Sequence, residues 1–264
     1  MMTAQPATQS SLLTQTWVYA GQFLTRWRRD RAVLLGSLLF PVCLMLVYQV
    51  VLGEQVRKVT GVDGLYGLVP ISAVLSALFG SMGNAIGITT DRQSGLLSRM
   101  WVLPIHRSSA VTGRLTAEAA RALIGTVLIT ALGLAMGLRF AHGWLAALVF
   151  ILIPSIVVVG FTALVMALAI RANARTVMTW LVGIIVSLAF VNPGTTPIGL
   201  FPDWLRPFVR VQPMSPPVET MRALAYGGPL LWPVALTLVW AVGLVAIFTP
   251  IALHGYRKAA ESGV

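Results

Sequence analysis

The side chains best suited to chemistry in this chain fall in one stretch. Thr90, Asp91 and Arg92 open it, and Gly95 follows. Leu96, Leu97, Met100 and Trp101 then interleave with Ser98 and Arg99 until Leu103 and Pro104 end the run. Apolar and basic residues mixed in this way build a short amphipathic helix that lies along a membrane and offers its basic face to another protein. Asp91 can cap such a helix through backbone N–H groups, pair with Arg92, or pair with the partner. Trp101 reads equally as a docking anchor or as an interface aromatic, and the whole stretch can also be a plain interfacial connector. The chemistry on offer is noncovalent docking.

Catalytic patterns are missing from the sequence. It contains no HExxH, no GxSxG and no Walker A phosphate loop. His106, His142 and His254 are far apart and form no metal-ligand pattern, and the single cysteine, Cys43, excludes an internal disulfide. Asp203, Arg206, Arg210 and Glu219 are the loose candidates for catalysis at one membrane face, and a hydrogen-bonded cap on a loop explains them as well. No carboxylate stands out in mid-span. Glu118 falls near the start of a span, with Arg114 and Arg121 as its expected partners at i−4 and i+3.

The elements that position these residues are membrane helices. Hydrophobic residues make up 57% of the 264 and charged residues 10%, whereas soluble domains carry about 25% charged. Mean hydropathy is +0.83. The net charge of +11 comes from basic clusters between apolar runs, which fits membrane orientation and not nucleic acid. Six spans are expected, near 32–52, 68–89, 117–138, 144–170, 177–191 and 230–253. They form one transmembrane unit, 32–253, between an N-terminal segment, 1–31, partly amphipathic, and a tail, 254–264. The first span reads as retained and not as a cleaved signal. The second span is rich in small residues and belongs inside a bundle; its Asn84 is expected to bond between helices or to line a path. Pro154 and Gly160 are candidate breaks in the fourth. Seven prolines between 193 and 217 forbid one continuous helix there, and the mixture with Leu200, Phe201, Trp204 and Phe208 suits a re-entrant or interfacial segment.

Basic residues orient the chain. Arg26, Arg28, Arg29, Arg31, Arg92, Arg99, Arg107, Arg114, Arg121, Arg171, Arg175, Arg257 and Lys258 fall on one side. Arg57, Lys58, Arg139, Arg206, Arg210 and Arg222 fall on the other. By the positive-inside rule the first side, with both termini, is cytoplasmic.

Order and spacing carry a resemblance. Asp91, Arg92, Gly95, Leu96, Leu97, Arg99, Trp101, Leu103 and Pro104 precede the third span. Late in the chain come Leu200, Phe201, Pro202, Trp204, Pro207 and Phe208, then Gln212, Pro213 and Ser215, then Met221, Arg222, Ala223, Leu224 and Gly227. Over nearly its whole length the chain resembles ABC-2 type permeases, more narrowly the actinobacterial permeases of the daunorubicin-resistance and phthiocerol-dimycocerosate export type. It departs from many members in having Asp91 where they have Glu, which keeps the charge on a shorter arm.

The resemblance implies an all-α polytopic fold of six spans. It implies a cytoplasmic coupling helix over 91–104 and a Pro-rich outer re-entrant segment that includes Pro202, Trp204, Pro207, Gln212, Pro213 and Arg222. The function implied is export of a hydrophobic or amphipathic substrate, lipid-, polyketide- or antibiotic-like, across the bacterial plasma membrane. Implied partners are cytoplasmic P-loop ATPase subunits, a second identical or homologous permease and membrane lipids, with no nucleic acid. The chain itself would be no enzyme and hold no cofactor; ATP and Mg²⁺ would belong to the ATPase. The alternatives are a self-contained secondary transporter or channel, distinguished by transport without an ATPase, a membrane enzyme and a structural assembly subunit.

Overall fold

A computed structural model of the chain describes residues 11–29, 31–93 and 108–261. Among these every regular element is helical. The helices are α1 (Leu12–Arg29), α2 (Arg31–Thr60), α3 (Leu65–Ser81), α4 (Gly83–Gln93), α5 (Ser109–Ala135), α6 (Gly143–Ala169), α7 (Ala174–Phe190), α8 (Arg206–Val211), α9 (Ser215–Tyr226) and α10 (Leu231–Glu261). A single 3-10 turn, Ile198–Leu200, precedes α8.

Among the described residues, four stretches are long and apolar enough to cross a bilayer: Leu65–Asp91, Ser109–Ala135, Gly143–Ala169 and Leu231–Lys258. The first combines α3 with most of α4. At 1.5 Å per residue, 27 residues extend about 40 Å, more than the ~30 Å hydrocarbon core. The protein is therefore an all-α, multi-span membrane protein. The helices at the first and fifth expected spans are α2, of 30 residues, and α7, of 17; the latter extends only about 25 Å.

Local sequence explains several ends. Asn173 caps α7, its side chain accepting from the Arg175 N–H at 2.9 Å. Gly137, at φ 112°, lets the chain turn off α5 while the Leu138 N–H returns to the Gly133 carbonyl at 2.8 Å. Pro216 and Pro217 occupy the first turn of α9, where N–H groups have no helical acceptor.

The α3 helix is the centre of the bundle, packed by α2, α5, α6 and α9. Its membrane-length window is almost wholly buried, as its small residues led one to expect. Gly67 and Gly194 bring α3 against the loop after α7, because a Cβ on Gly67 would strike the Gly194 carbonyl. The expected breaks in the fourth span do not occur. The α6 helix continues through Pro154. Gly160 serves instead as the crossing point with α10, a Cβ there lying 2.9 Å from the Ala241 carbonyl oxygen. The helix at the third expected span, α5, begins two turns before residue 117, since 109–116 pack against α1. There Gly113 makes room for Tyr19, whose Cβ would sit 2.5 Å from a Gly113 Cβ, and Thr16 and Thr112 share a 2.9 Å hydroxyl bond.

Candidate functional site

At one end of the bundle three elements meet on a carboxylate. The α4 helix delivers Asp91, α5 delivers Arg114 and α1 delivers Arg26. Asp91 accepts from Arg114 through one oxygen and from Arg26 through the other at 3.3 Å. The Asp91 and Arg114 side chains are 7% and 4% exposed, whereas Arg26 is 64% exposed. The Phe23 ring of α1 lies 4.4 Å from the Arg114 guanidinium carbon, a cation–π contact that keeps α1 on the charge. Asp91, the first residue of the segment singled out for docking, is thus bound to groups of its own chain. The side chain of Arg92 and residues Gly95, Leu96, Leu97, Arg99, Trp101, Leu103 and Pro104 lie outside the described residues.

A second buried charge pair sits two turns along α5. Arg121, 3% exposed, pairs with Glu118 at 2.7 Å and donates to the Ala77 carbonyl at 2.8 Å and the Ser76 carbonyl at 3.4 Å. Glu118 had both arginines as expected partners; it keeps Arg121, while Arg114 turns to Asp91. The early start of α5 puts Glu118 and Arg121 inside the bundle, against the centre of the α3–α4 stretch. This corrects the expectation that no carboxylate lies in mid-span. Counting Arg114 and Arg121 as loop charges hid the arrangement. The available signal was their seven-residue spacing, which places both on one helix stripe. Asn84, expected to bond between helices, donates to the Ser81 carbonyl of its own stretch at 3.1 Å.

At the opposite end the outer-segment residues divide. Pro202, Trp204 and Pro207 are exposed, Trp204 at 78%. Gln212 is buried. Its amide donates to the Leu188 and Val191 carbonyls and to Ser215 Oγ, so it closes the end of α7 and joins it to α9. Asn192 assists, accepting from the Gly194 N–H at 2.9 Å. Pro213 and Arg222 are half-buried; Arg222 borders a cleft with Asp63, Tyr66 and Gly194. Arg206 pairs with Asp203 and donates to the Phe201 and Gly199 carbonyls at 2.8 and 3.0 Å. These two catalytic candidates therefore tie down a loop. Burial pushes the Glu219 carboxyl above its usual value, and Arg222 and Arg210 draw it back. Among the described residues no three His, Cys, Asp or Glu side chains gather to hold a metal.

Residues 14–226 match the ABC-2 type transporter family. The chain belongs to that family. The match starts within α1 and stops at the last residue of α9, so it takes in both ends of the site. Over 262 residues the permease is 37% identical to the probable doxorubicin resistance ABC transporter permease protein DrrC of Mycobacterium tuberculosis, covering 97% of this chain and 94% of the relative. It is 24% identical over 263 residues to the daunorubicin resistance ABC transporter permease protein DrrB1 of Streptomyces coeruleorubidus, covering 97% and 89%. To the doxorubicin resistance ABC transporter permease protein DrrB of Mycobacterium tuberculosis it is 29% identical over 188 residues, covering 68% and 65%. The expectation of an ABC-type permease subunit is met.

Proposed function

We propose that this permease forms half of the pathway of an ATP-driven exporter in the bacterial plasma membrane. Its substrate is hydrophobic or amphipathic, of lipid, polyketide or antibiotic type. Six spans, α2, α3 with α4, α5, α6, α7 and α10, keep both termini cytoplasmic. The segment 193–217 is an outer element that re-enters beside α9. P-loop ATPase subunits carrying ATP and Mg²⁺ dock on the 91–104 segment, and a second permease, identical or homologous, completes the pathway.

The observation that carries this reading, beside family membership, is the buried Asp91–Arg114 pair with Arg26. It ties the helices on both sides of the docking segment to α1, so a push on that segment is passed to α4 and α5 and not dissipated in a loose loop. Asp91 and Arg114 position the segment; Arg92, Gly95, Leu96, Leu97, Arg99, Trp101, Leu103 and Pro104 form the docking surface itself.

The test is purification of the permease in mild detergent from its native host, followed by mass spectrometry. A co-purifying P-loop ATPase supports the reading, and the presence or absence of a second permease species settles hetero- against homodimer. Reproducible absence of any ATPase, in detergent that preserves a control ABC complex, overturns it in favour of a self-contained transporter.

A further inference from the structure

The stretch from α3 to α4 is interrupted once, at Met82. Around this residue the backbone ladder tightens. The Met82 N–H bonds the Phe79 carbonyl at 3.2 Å, and the Ala85 N–H bonds the Met82 carbonyl at 3.0 Å, both three residues back and not four. The carbonyls near the break take side-chain donors. Ser76 and Ala77 accept from Arg121, Leu78 accepts from Ser81 Oγ at 2.7 Å, and Ser81 accepts from Asn84. A ladder opened by inserted side chains is a recognised cause of a helix joint.

Arg121 is fitted to this joint. A Cβ on Gly80 would fall inside its guanidinium, so the missing side chain of Gly80 is the space the charge occupies. Arg121 is held from behind by Glu118. One planar fork therefore meets two carbonyls and the Glu118 carboxylate through three different nitrogens, a fixed spread that a lysine's single ammonium does not reproduce. Seven residues before it, about 10.5 Å along the helix, Arg114 holds Asp91 near the far end of α4. Gly87, between them, leaves the Arg114 Nη1 only 3.2 Å from a would-be Cβ. So α5 bridges the joint: Arg121 grips α3 just before Met82, and Arg114 grips α4 near its far end, where the docking segment begins.

We infer that α4 is a lever arm hinged at Met82, and that Arg121, with Glu118 behind it and Gly80 beneath it, is the positioning residue that sets the hinge angle. The inference rests on the ATPase-coupled reading above. Load on the 91–104 segment swings α4 about Met82 relative to α5 and α3, and the Arg121 clamp holds the nucleotide-free angle until that load arrives. The clamp works without touching substrate or nucleotide.

The test uses the whole permease–ATPase complex in lipid nanodiscs, with Cys43→Ser and spin labels at Thr90 and Ile124. Both labelled positions are exposed, on α4 and α5 respectively. Dilution with unlabelled permease isolates the distance within one chain. Wild type should show one distance without nucleotide and a shifted one with ATP, Mg²⁺ and vanadate. Arg121→Lys should raise the nucleotide-free population of the shifted distance about tenfold, within the range of ordinary coupling energies. It should do so while the complex remains assembled and hydrolyses ATP, which loss of folded protein would not produce. Gly80→Ala, which displaces the guanidinium, should act in the same direction, and Glu118→Gln more weakly. An unchanged wild-type distance on trapping nucleotide overturns the lever. Wild-type distributions in both assembled Arg121→Lys and Gly80→Ala overturn the clamp. A permease that assembles with no ATPase overturns the coupled reading itself and the lever with it, a result distinct from a hydrolysing complex whose α4 does not move.

Discussion

Replacing Asp91 with asparagine should destabilise the permease far more than removing the arginine it shares with solvent. Asp91 and Arg114 are 7% and 4% exposed at their side chains. The substitution leaves a guanidinium buried without its counter-charge, and Arg114 Nε already lacks a hydrogen-bond partner. Removing one member of a buried ion pair costs about 3–5 kcal/mol. The Phe23 ring offsets only part of this, since a cation–π contact contributes about 0.5–2 kcal/mol and is present before and after the change. Arg26 is 64% exposed, so Arg26→Ala should cost under about 1 kcal/mol. At roughly 2–4 °C per kcal/mol for a chain near this size, Asp91→Asn should lower the melting midpoint by on the order of 10 °C. Trp fluorescence melts of the detergent-solubilised permease read this directly. The paired change Asp91→Leu with Arg114→Met removes both charges and should recover most of the loss, because apolar replacement of a whole buried pair is often neutral. The reasoning is refuted if Asp91→Asn melts within the range of Arg26→Ala, or if the double variant is less stable than either single one.

Gln212→Leu should cost about 1–3 kcal/mol by leaving the Leu188 and Val191 carbonyls without their donor, seen as faster proteolysis in the 193–217 region. Gly67→Ala should be poorly tolerated, since backbone at Gly194 blocks the new methyl; overpacking of about 1–3 kcal/mol or more should appear as a lower melting point, while Gly183→Ala, with nothing within 4 Å, should melt like wild type. Glu219 has its folded-state pKa raised, burial being the main cause. Its contribution to stability is therefore present in full below the unfolded value and is lost as pH rises through the folded one. Glu219→Gln should then melt above wild type at pH 7, with the gap closing as pH falls below the ordinary value of 4.5; a gap independent of pH would contradict this.

Much of the architecture could be read before any packing was known, and the reason is physical. A bilayer demands long apolar helices with satisfied backbones, so span positions are written along one dimension. The small-residue face of the second span declared its place inside the bundle for a similar reason, since only close neighbours repay the absence of bulk. The 91–104 segment read as an amphipathic run opening at Asp91, but the partners of Asp91 on α1 and α5 were not visible because they are 65 and 23 residues away. Residues 193–217 were legible as a Pro-rich pattern, whereas the separate task of Gln212, closing α7, depends on a chain return of 21 residues.

The sequence by itself determined the class of the protein, the positions of its apolar helices and its kinship, because hydropathy, proline content and motif order are properties of neighbours along the chain. Tertiary structure alone decided which charges are structural. Arg26 and Arg114 are the same residue type on the same expected side, yet one is mostly solvated and the other buried, since α5 packs against the central α3 and α1 does not. It also decided the meaning of Gly80. In sequence it is one small residue among many, and in the fold it is the space that Arg121 fills, because a helix can accept a guanidinium against its backbone only where it carries no side chain.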